Sequence, residues 1–267
     1  MGCIDCSASN KEEDNKKEVY YSFSQLSNPI NRIDIFPSIE KMYLFDKTLI
    51  PEGIFGPSMR IVNKASRKEY RLKTLSKIIL RKYNEADKVL FFYIKMKEEA
   101  NSNLVKIEEI SENEDSIFLI TEFSTFGNLD RLLLLKKQNN ISFTKEELFI
   151  LLQNIIASLK YLNNKNIYHG HLVEENILLF PKEDNNNQYN LLSYDIKLSD
   201  SAHAIHFINN ITEKTKGIND DMKSVSNISK RIMDIFEIKD DTLNEINDKL
   251  CKDNIDTIYE MLFNEYK

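Results

Sequence analysis

Residues 168–180 read YHGHLVEENILLF, and residues 195–202 read DIKLSDSA. ENILLF and YDIKLSD are short, β-prone and separated by a polar loop marked by NNN at 185–187, so they read as the strands of a small hairpin. Asn176 and Asp200 fall at the same end of that hairpin. All four histidines lie close by in sequence: His169 and His171 before it, His203 and His206 after it. His-x-His and His-x-x-His can both supply zinc ligands, but no cysteine joins them, and ordinary packing or surface roles are the expected ones.

Upstream lies the clearest helix in the chain, TKEELFILLQNIIASLKYL (144–162). Thr144 and Glu147 have capping-box spacing, in which each side chain satisfies a backbone N–H of the other. Leu148, Leu151, Leu152, Ile155, Leu159 and Leu162 follow at helical spacing and make one apolar face. SIFLITEF (116–123) reads as a strand, and NEADKVLFFYIKMKEEA (84–100) as a helix with Val89, Phe92, Tyr93 and Met96 on one side. Past the hairpin, DDMKSVSNISKRI (220–232) and TLNEINDKLCKDNIDTIYEML (242–262) read as further helices.

Together these segments resemble the protein kinase family. The opening pair is similar to the family's H-R-D-L-K-P-E-N loop followed by D-F-G, in which the first Asp takes the substrate hydroxyl's proton and the Asn and second Asp hold magnesium. PEGIFGPSMRIVNKASRKEYRLK (51–73) lines up with the glycine-rich loop and the two strands after it. Gly53 and Gly56 match loop glycines, and Lys73 falls on the phosphate-contacting Lys. NSNLVKI (101–107) resembles H-P-N-I-V-K-L, and Thr121, Glu122 and Phe123 fall at the gatekeeper and hinge. Asp221 resembles the Asp that opens the next large-lobe helix. The likeness implies an α+β, two-lobed fold: a small antiparallel β lobe with one helix at 43–124, and a reduced, mainly helical large lobe at 125–267.

The departures fall on the chemistry. His171 stands where the base Asp belongs, Val173 replaces the Lys, and Ser201 and Ala202 replace the Phe and Gly after Asp200. Phe92 coincides with the helix Glu that should pair Lys73, and Glu85 is a substitute about two turns too early. Pro51 replaces the first loop glycine and Ser58 the Val that covers adenine. Arg71 stands where the family has the small Ala of the adenine roof. Only twenty residues separate Asp200 from Asp221, without A-P-E or a peptide-docking platform. The resemblance therefore implies a pseudokinase with no catalytic residues and no cofactor. If ATP and magnesium do bind, Gly53, Gly56, Lys73, Glu122, Asn176 and Asp200 are the residues to hold them. The alternatives are an atypical active Ser/Thr kinase using His171 or Asp200, and a switch that binds ATP without transferring it.

The start MGCIDCSAS resembles the N-termini of dually acylated calcium-dependent and calmodulin-type kinases, here without EF-hands. Gly2 would carry myristate, and Cys3 and Cys6 palmitate, although position six holds Cys where the signal asks for Ser or Thr. Two lipids matter because one myristoyl chain binds membranes only marginally, at about 10⁴ M⁻¹. Residues 1–42 are expected to be the tether, disordered at first and then docked as a strand or turn near Ile35 and Phe36. With 267 residues, 42% hydrophobic and 29% charged, the chain can bury roughly three quarters of its unfolded surface. Cys3, Cys6 and Cys251 make no disulfide framework, which points to a reducing compartment. A net charge of −6 with scattered bases argues against nucleic acid. LFILLQNIIASLKYL (148–162) is interrupted by Gln153, Asn154 and Lys160, short of the ~20 apolar residues of a membrane span. The expected setting is the cytoplasmic face of a membrane, with a protein partner such as an active kinase or a membrane-associated complex.

Overall fold

The computed structural model describes residues 37–50, 56–82, 86–98, 101–165, 167–183, 187–199 and 211–264. A short helix, α1 (Pro37–Met42), leads directly into β1 (Tyr43–Ile50). Then follow β2 (Ser58–Asn63), β3 (Glu69–Ser76), α2 (Lys77–Lys82), α3 (Ala86–Glu98), β4 (Ile107–Glu112) and β5 (Ser116–Glu122). The five strands make one antiparallel sheet in the order β1-β2-β3-β5-β4.

β5 reads as an unbroken apolar run because both of its faces are covered. Ile117 and Leu119 pack with Leu75, Leu80, Val89 and Tyr93 under α2 and α3. Phe118 and Ile120 pack on the other face with Met59, Ile61, Leu72 and Ile39 of α1. The anticipated strand or turn at Ile35 and Phe36 lies outside the described residues. The docked segment that is described is a helix, with Pro37 at its first position, where the missing N–H is not needed. α2 was not anticipated; β4, at the sheet edge, carries Glu108, Glu109 and Glu112, charges that disfavour pairing with another chain.

The second lobe begins with β6 (Gly127–Asn128), α4 (Leu129–Gln138) and α5 (Lys145–Asn164). A single 3-10 turn (Glu174–Asn176) precedes β7 (Ile177–Pro181), and β8 (Tyr194–Leu198) completes a three-stranded sheet ordered β6-β7-β8. The anticipated hairpin is present, with Ile177 opposite Leu198. The helices α6 (Ile211–Phe236), α7 (Asp241–Leu250) and α8 (Ile255–Asn264) finish the lobe.

The capping box of α5 forms as anticipated: Glu147 N donates to Thr144 Oγ1 at 3.2 Å and Thr144 N to Glu147 Oε2 at 2.8 Å. All six residues of its apolar face are buried. Glu147 has a second role that its local spacing did not reveal. Lys136 of α4 donates to both of its carboxylate oxygens at 2.8 and 2.7 Å, and Leu191 N donates to Oε1 at 2.7 Å. Both side chains are buried, and Lys136 also donates to Ser142 O at 2.9 Å, so the pair is well hydrogen-bonded.

The lobes meet through the segment between α3 and β4. Val105 N donates to Leu198 O at 2.9 Å, Leu198 N to Asn103 O at 3.0 Å, and Ser158 Oγ of α5 to Asn103 O at 3.1 Å. No helix among the described residues is long and apolar enough to cross a membrane.

Candidate functional site

The loop from Tyr168 to Asn176 is shaped by bonds to its backbone. Asp221 of α6 accepts from His169 N at 2.5 Å and from Gly170 N at 2.9 Å. Asp221 does not open its helix, as anticipated from the resemblance; α6 starts at Ile211, a full ten residues earlier. Gly217 in that early stretch is required by packing, since a Cβ there would lie 2.4 Å from the Tyr168 ring. Burial pushes the Asp221 carboxyl up to about 7, against the opposing pull of the Gly170 and His169 N–H groups and with a small further push from Asp220.

His169 is fully buried. Its Nε2 lies 2.7 Å from Ser199 O, which can only accept, so Nε2 carries the proton; Nδ1 accepts from His171 N at 3.3 Å. Asn176 Nδ2 donates to His171 O at 2.8 Å, and Asn176 O accepts from Ser199 N at 2.9 Å. Val173 precedes the 3-10 turn, and both it and His171 are half-buried. Glu174, which local reading did not single out, is buried and accepts from Arg231 Nη1 of α6 at 2.7 Å. Arg231 Nη2 also lies 3.6 Å from Asp130 Oδ1 of α4.

Above this loop is the cleft between the lobes. Arg71 and Lys73 are two residues apart on β3, so they face the same side, and both are buried. Arg71 Nε donates to Ser58 Oγ at 3.3 Å, and Arg71 pairs across the sheet with Thr121. The cavity walled by Arg71, Lys73, Met96, Leu104, Thr121 and Leu198 has a volume of about 40 Å³. A space of that size among the described residues holds water-sized groups. Thr121 Oγ1 is buried in this wall with no hydrogen-bond partner among the described residues.

Glu122 is committed elsewhere. Its carboxylate accepts from Lys197 Nζ of β8 at 2.7 and 2.8 Å and from Lys106 N at 2.7 Å, which ties the lobes together. Gly56 serves the sheet: its φ is +145°, and a Cβ would sit 2.0 Å from Thr74 O. Residue 92 lies on α3, and its side chain is outside the described residues, as are Gly2, Cys3, Cys6, Gly53, Glu85, Asp200, Ser201, Ala202, His203 and His206. Among the described residues no group of three or more His, Cys, Asp or Glu is placed to hold a metal ion.

The family model of the protein kinase domain matches residues 45–257. The chain belongs to the protein kinase domain family. Its kinase-domain relatives include calcium-dependent protein kinase 5 of Plasmodium berghei (strain Anka), 27% identical over 147 residues, which are 55% of this chain and 25% of that protein. Serine/threonine-protein kinase 33 of Mus musculus is 25% identical over 179 residues, 66% of this chain and 34% of that one. The chain thus spans a quarter to a third of these relatives' length. The crystal structure of Rad53 1-466 in complex with AMP-PNP superposes with a TM-score of 0.62 at 14% identity, covering 84% of this chain and 65% of that one. At that identity the match establishes the kinase fold alone. It fits the observed antiparallel small lobe and helical large lobe of this kinase-family domain.

Proposed function

We propose that this kinase-family domain is a pseudokinase: a non-catalytic, membrane-tethered scaffold or allosteric partner in signalling, acting on an active kinase or a membrane-associated complex. Arg71 carries the reading. A guanidinium buried in the cleft wall and bonded to Ser58 stands beside a space of about 40 Å³, which supports a slot closed to adenine. His171 and Val173 at the base and Lys positions point the same way, because losing a positioned base forfeits about 10² to 10⁴ in rate. Binding surfaces then remain as the means of action. Acylation at Gly2, Cys3 and Cys6 would hold the domain at the cytoplasmic face of a membrane.

The test is a thermal-unfolding scan of the purified chain with ATP, with and without Mg²⁺, beside a phosphate-transfer assay. Neither stabilisation nor transfer is expected. Transfer that Lys73→Ala abolishes would overturn the reading. One observation favours a second reading, an ATP-binding switch: the buried Thr121 hydroxyl in the cleft wall has no hydrogen-bond partner among the described residues. Stabilisation by ATP without turnover is its signature. For the anchor, Gly2→Ala is expected to release the protein into the cytosol, and unchanged membrane partition refutes that part.

A further inference from the structure

The small lobe carries a compact face of mixed cationic and apolar character beside α1. Tyr43 pairs with Asn63 and Leu44 with Val62, which sets the start of β1 against the end of β2. The five-residue turn between β2 and β3 folds back on the helix: Lys64 N donates to Met42 O at 2.8 Å, and Lys64 Nζ to Glu40 O at 2.7 Å. Lys41, Lys64, Arg67 and Lys68 are therefore gathered in one place, and all four are exposed. Among them Met42 is 42% exposed and Leu44 46% exposed, two of the most exposed large apolar side chains described. Tyr43 is buried against the sheet, so strand alternation turns Leu44 outward. Acidic groups flank them, and several are already paired: Glu40 is exposed on α1, Glu108 lies 3.8 Å from Lys68, and Glu69 and Asp46 both face Arg60.

We propose that this face lies on an anionic lipid bilayer of the phosphatidylserine type, with the cations at the headgroups and Met42 and Leu44 entering the interface. Charge complementarity argues for that occupant, since four exposed bases are gathered here on a chain of net charge −6 while Glu69 and Asp46 are engaged by Arg60. Position argues for it too. Residues 1–36 join the fold at Pro37, so a lipid-bearing tether delivers this face to the surface that holds the lipids. An acidic protein would satisfy the bases but leave the two apolar side chains without purpose; a bilayer interface takes both. Only the setting rests on the tether proposed above. The contact belongs to the folded lobe and is tested without any lipid on the protein, so its failure leaves the acylation and pseudokinase readings standing.

The experiment is co-sedimentation of the full, unacylated chain with phosphatidylcholine vesicles, with and without phosphatidylserine. Binding is expected only with phosphatidylserine, and weaker at high salt. Each cation near such a surface contributes about fivefold, so Lys41→Glu/Lys64→Glu/Arg67→Glu/Lys68→Glu should lose at least about a hundredfold. Met42→Ser/Leu44→Ser should lose roughly tenfold. If the quadruple variant does not fold, Arg67→Asn/Lys68→Ser serves instead, since Asn tolerates the φ of 60° at Arg67, with an expected loss of about 25-fold. Binding that ignores phosphatidylserine, or that survives these charge changes, overturns the proposal. So does equally tight binding to soluble polyglutamate that is indifferent to Met42→Ser/Leu44→Ser, which would assign the face to an acidic protein.

Discussion

The loop at 168–176 and the cleft above it meet at Leu198 and Ser199, yet they are built in opposite ways. The loop is held through its backbone: Asp221 binds the N–H groups of residues 169 and 170, Asn176 binds the carbonyl of residue 171, and the His169 ring binds the carbonyl of Ser199. The cleft is occupied by side chains, with Arg71 turned onto Ser58 and apolar residues closing the remainder. Backbone bonds are blind to the side chain they pass. Position 171 can therefore hold a histidine while the loop keeps its shape, whereas the arginine at position 71 becomes part of the cleft wall itself. Architecture and chemistry are written in separate residues here.

The largest expected effect lies in the same lobe as the loop, at the buried pair between α4 and α5. Lys136→Met leaves Glu147 charged and buried, and such half-pairs destabilise by about 3–5 kcal/mol. Urea unfolding should show that loss while leaving the cleft residues untouched. A loss below about 1 kcal/mol would mean that water reaches Glu147 readily and that the pair is not what holds α4 to α5.

Asp221→Asn strikes the loop directly and should have a smaller effect. One carboxamide oxygen cannot serve both N–H groups as two carboxylate oxygens do, so about 1–3 kcal/mol should be lost to an unsatisfied buried donor. Its pH dependence has a defined sign. The folded-state pKa of about 7 lies above the ordinary 3.8, so the folded protein holds this proton more tightly than the unfolded chain. That contribution is complete below pH 3.8 and is lost as pH rises through about 7. Asn does not titrate, so the wild-type decline across that window should flatten in the variant. Parallel slopes would show that Asp221 is ionised throughout and that its two N–H bonds outweigh its burial.

Local signals carried much of this fold, and long-range ones explain what they left out. The α5 cap and apolar face and the β7–β8 hairpin depend on residues near one another in sequence, and all were legible. α4 was not, because four consecutive leucines from Leu132 to Leu135 hide the period of a helix whose Leu134 points to solvent. The start of α6 was hidden by Gly217, which reads as a helix breaker and is kept for its contact with Tyr168. In the large lobe, Glu147 looked fully explained by Thr144, while its partner Lys136 lies eleven residues away on another helix. Asp221 reaches back across 52 residues to His169, a distance over which spacing carries no information.

The smallest predicted effect bears most directly on the cleft. Arg71→Ala, made together with Ser58→Val, removes the guanidinium and restores an apolar cover over the slot it fills. Neither change touches the loop. At ten times its dissociation constant a ligand stabilises by about 1.4 kcal/mol, or roughly 3–5 °C for a domain this size, so an ATP-dependent rise in Tm of that order should appear in the double variant and be absent from the wild type. Phosphate transfer should remain absent, because His171 and Val173 are unchanged. A rise in both proteins would mean that Arg71 swings aside for nucleotide and that the loop and the cleft are less different than they look. A rise in neither would move the cause of closure from Arg71 to the apolar wall of Leu104 and Leu198, and so from one side chain to the way the lobes meet.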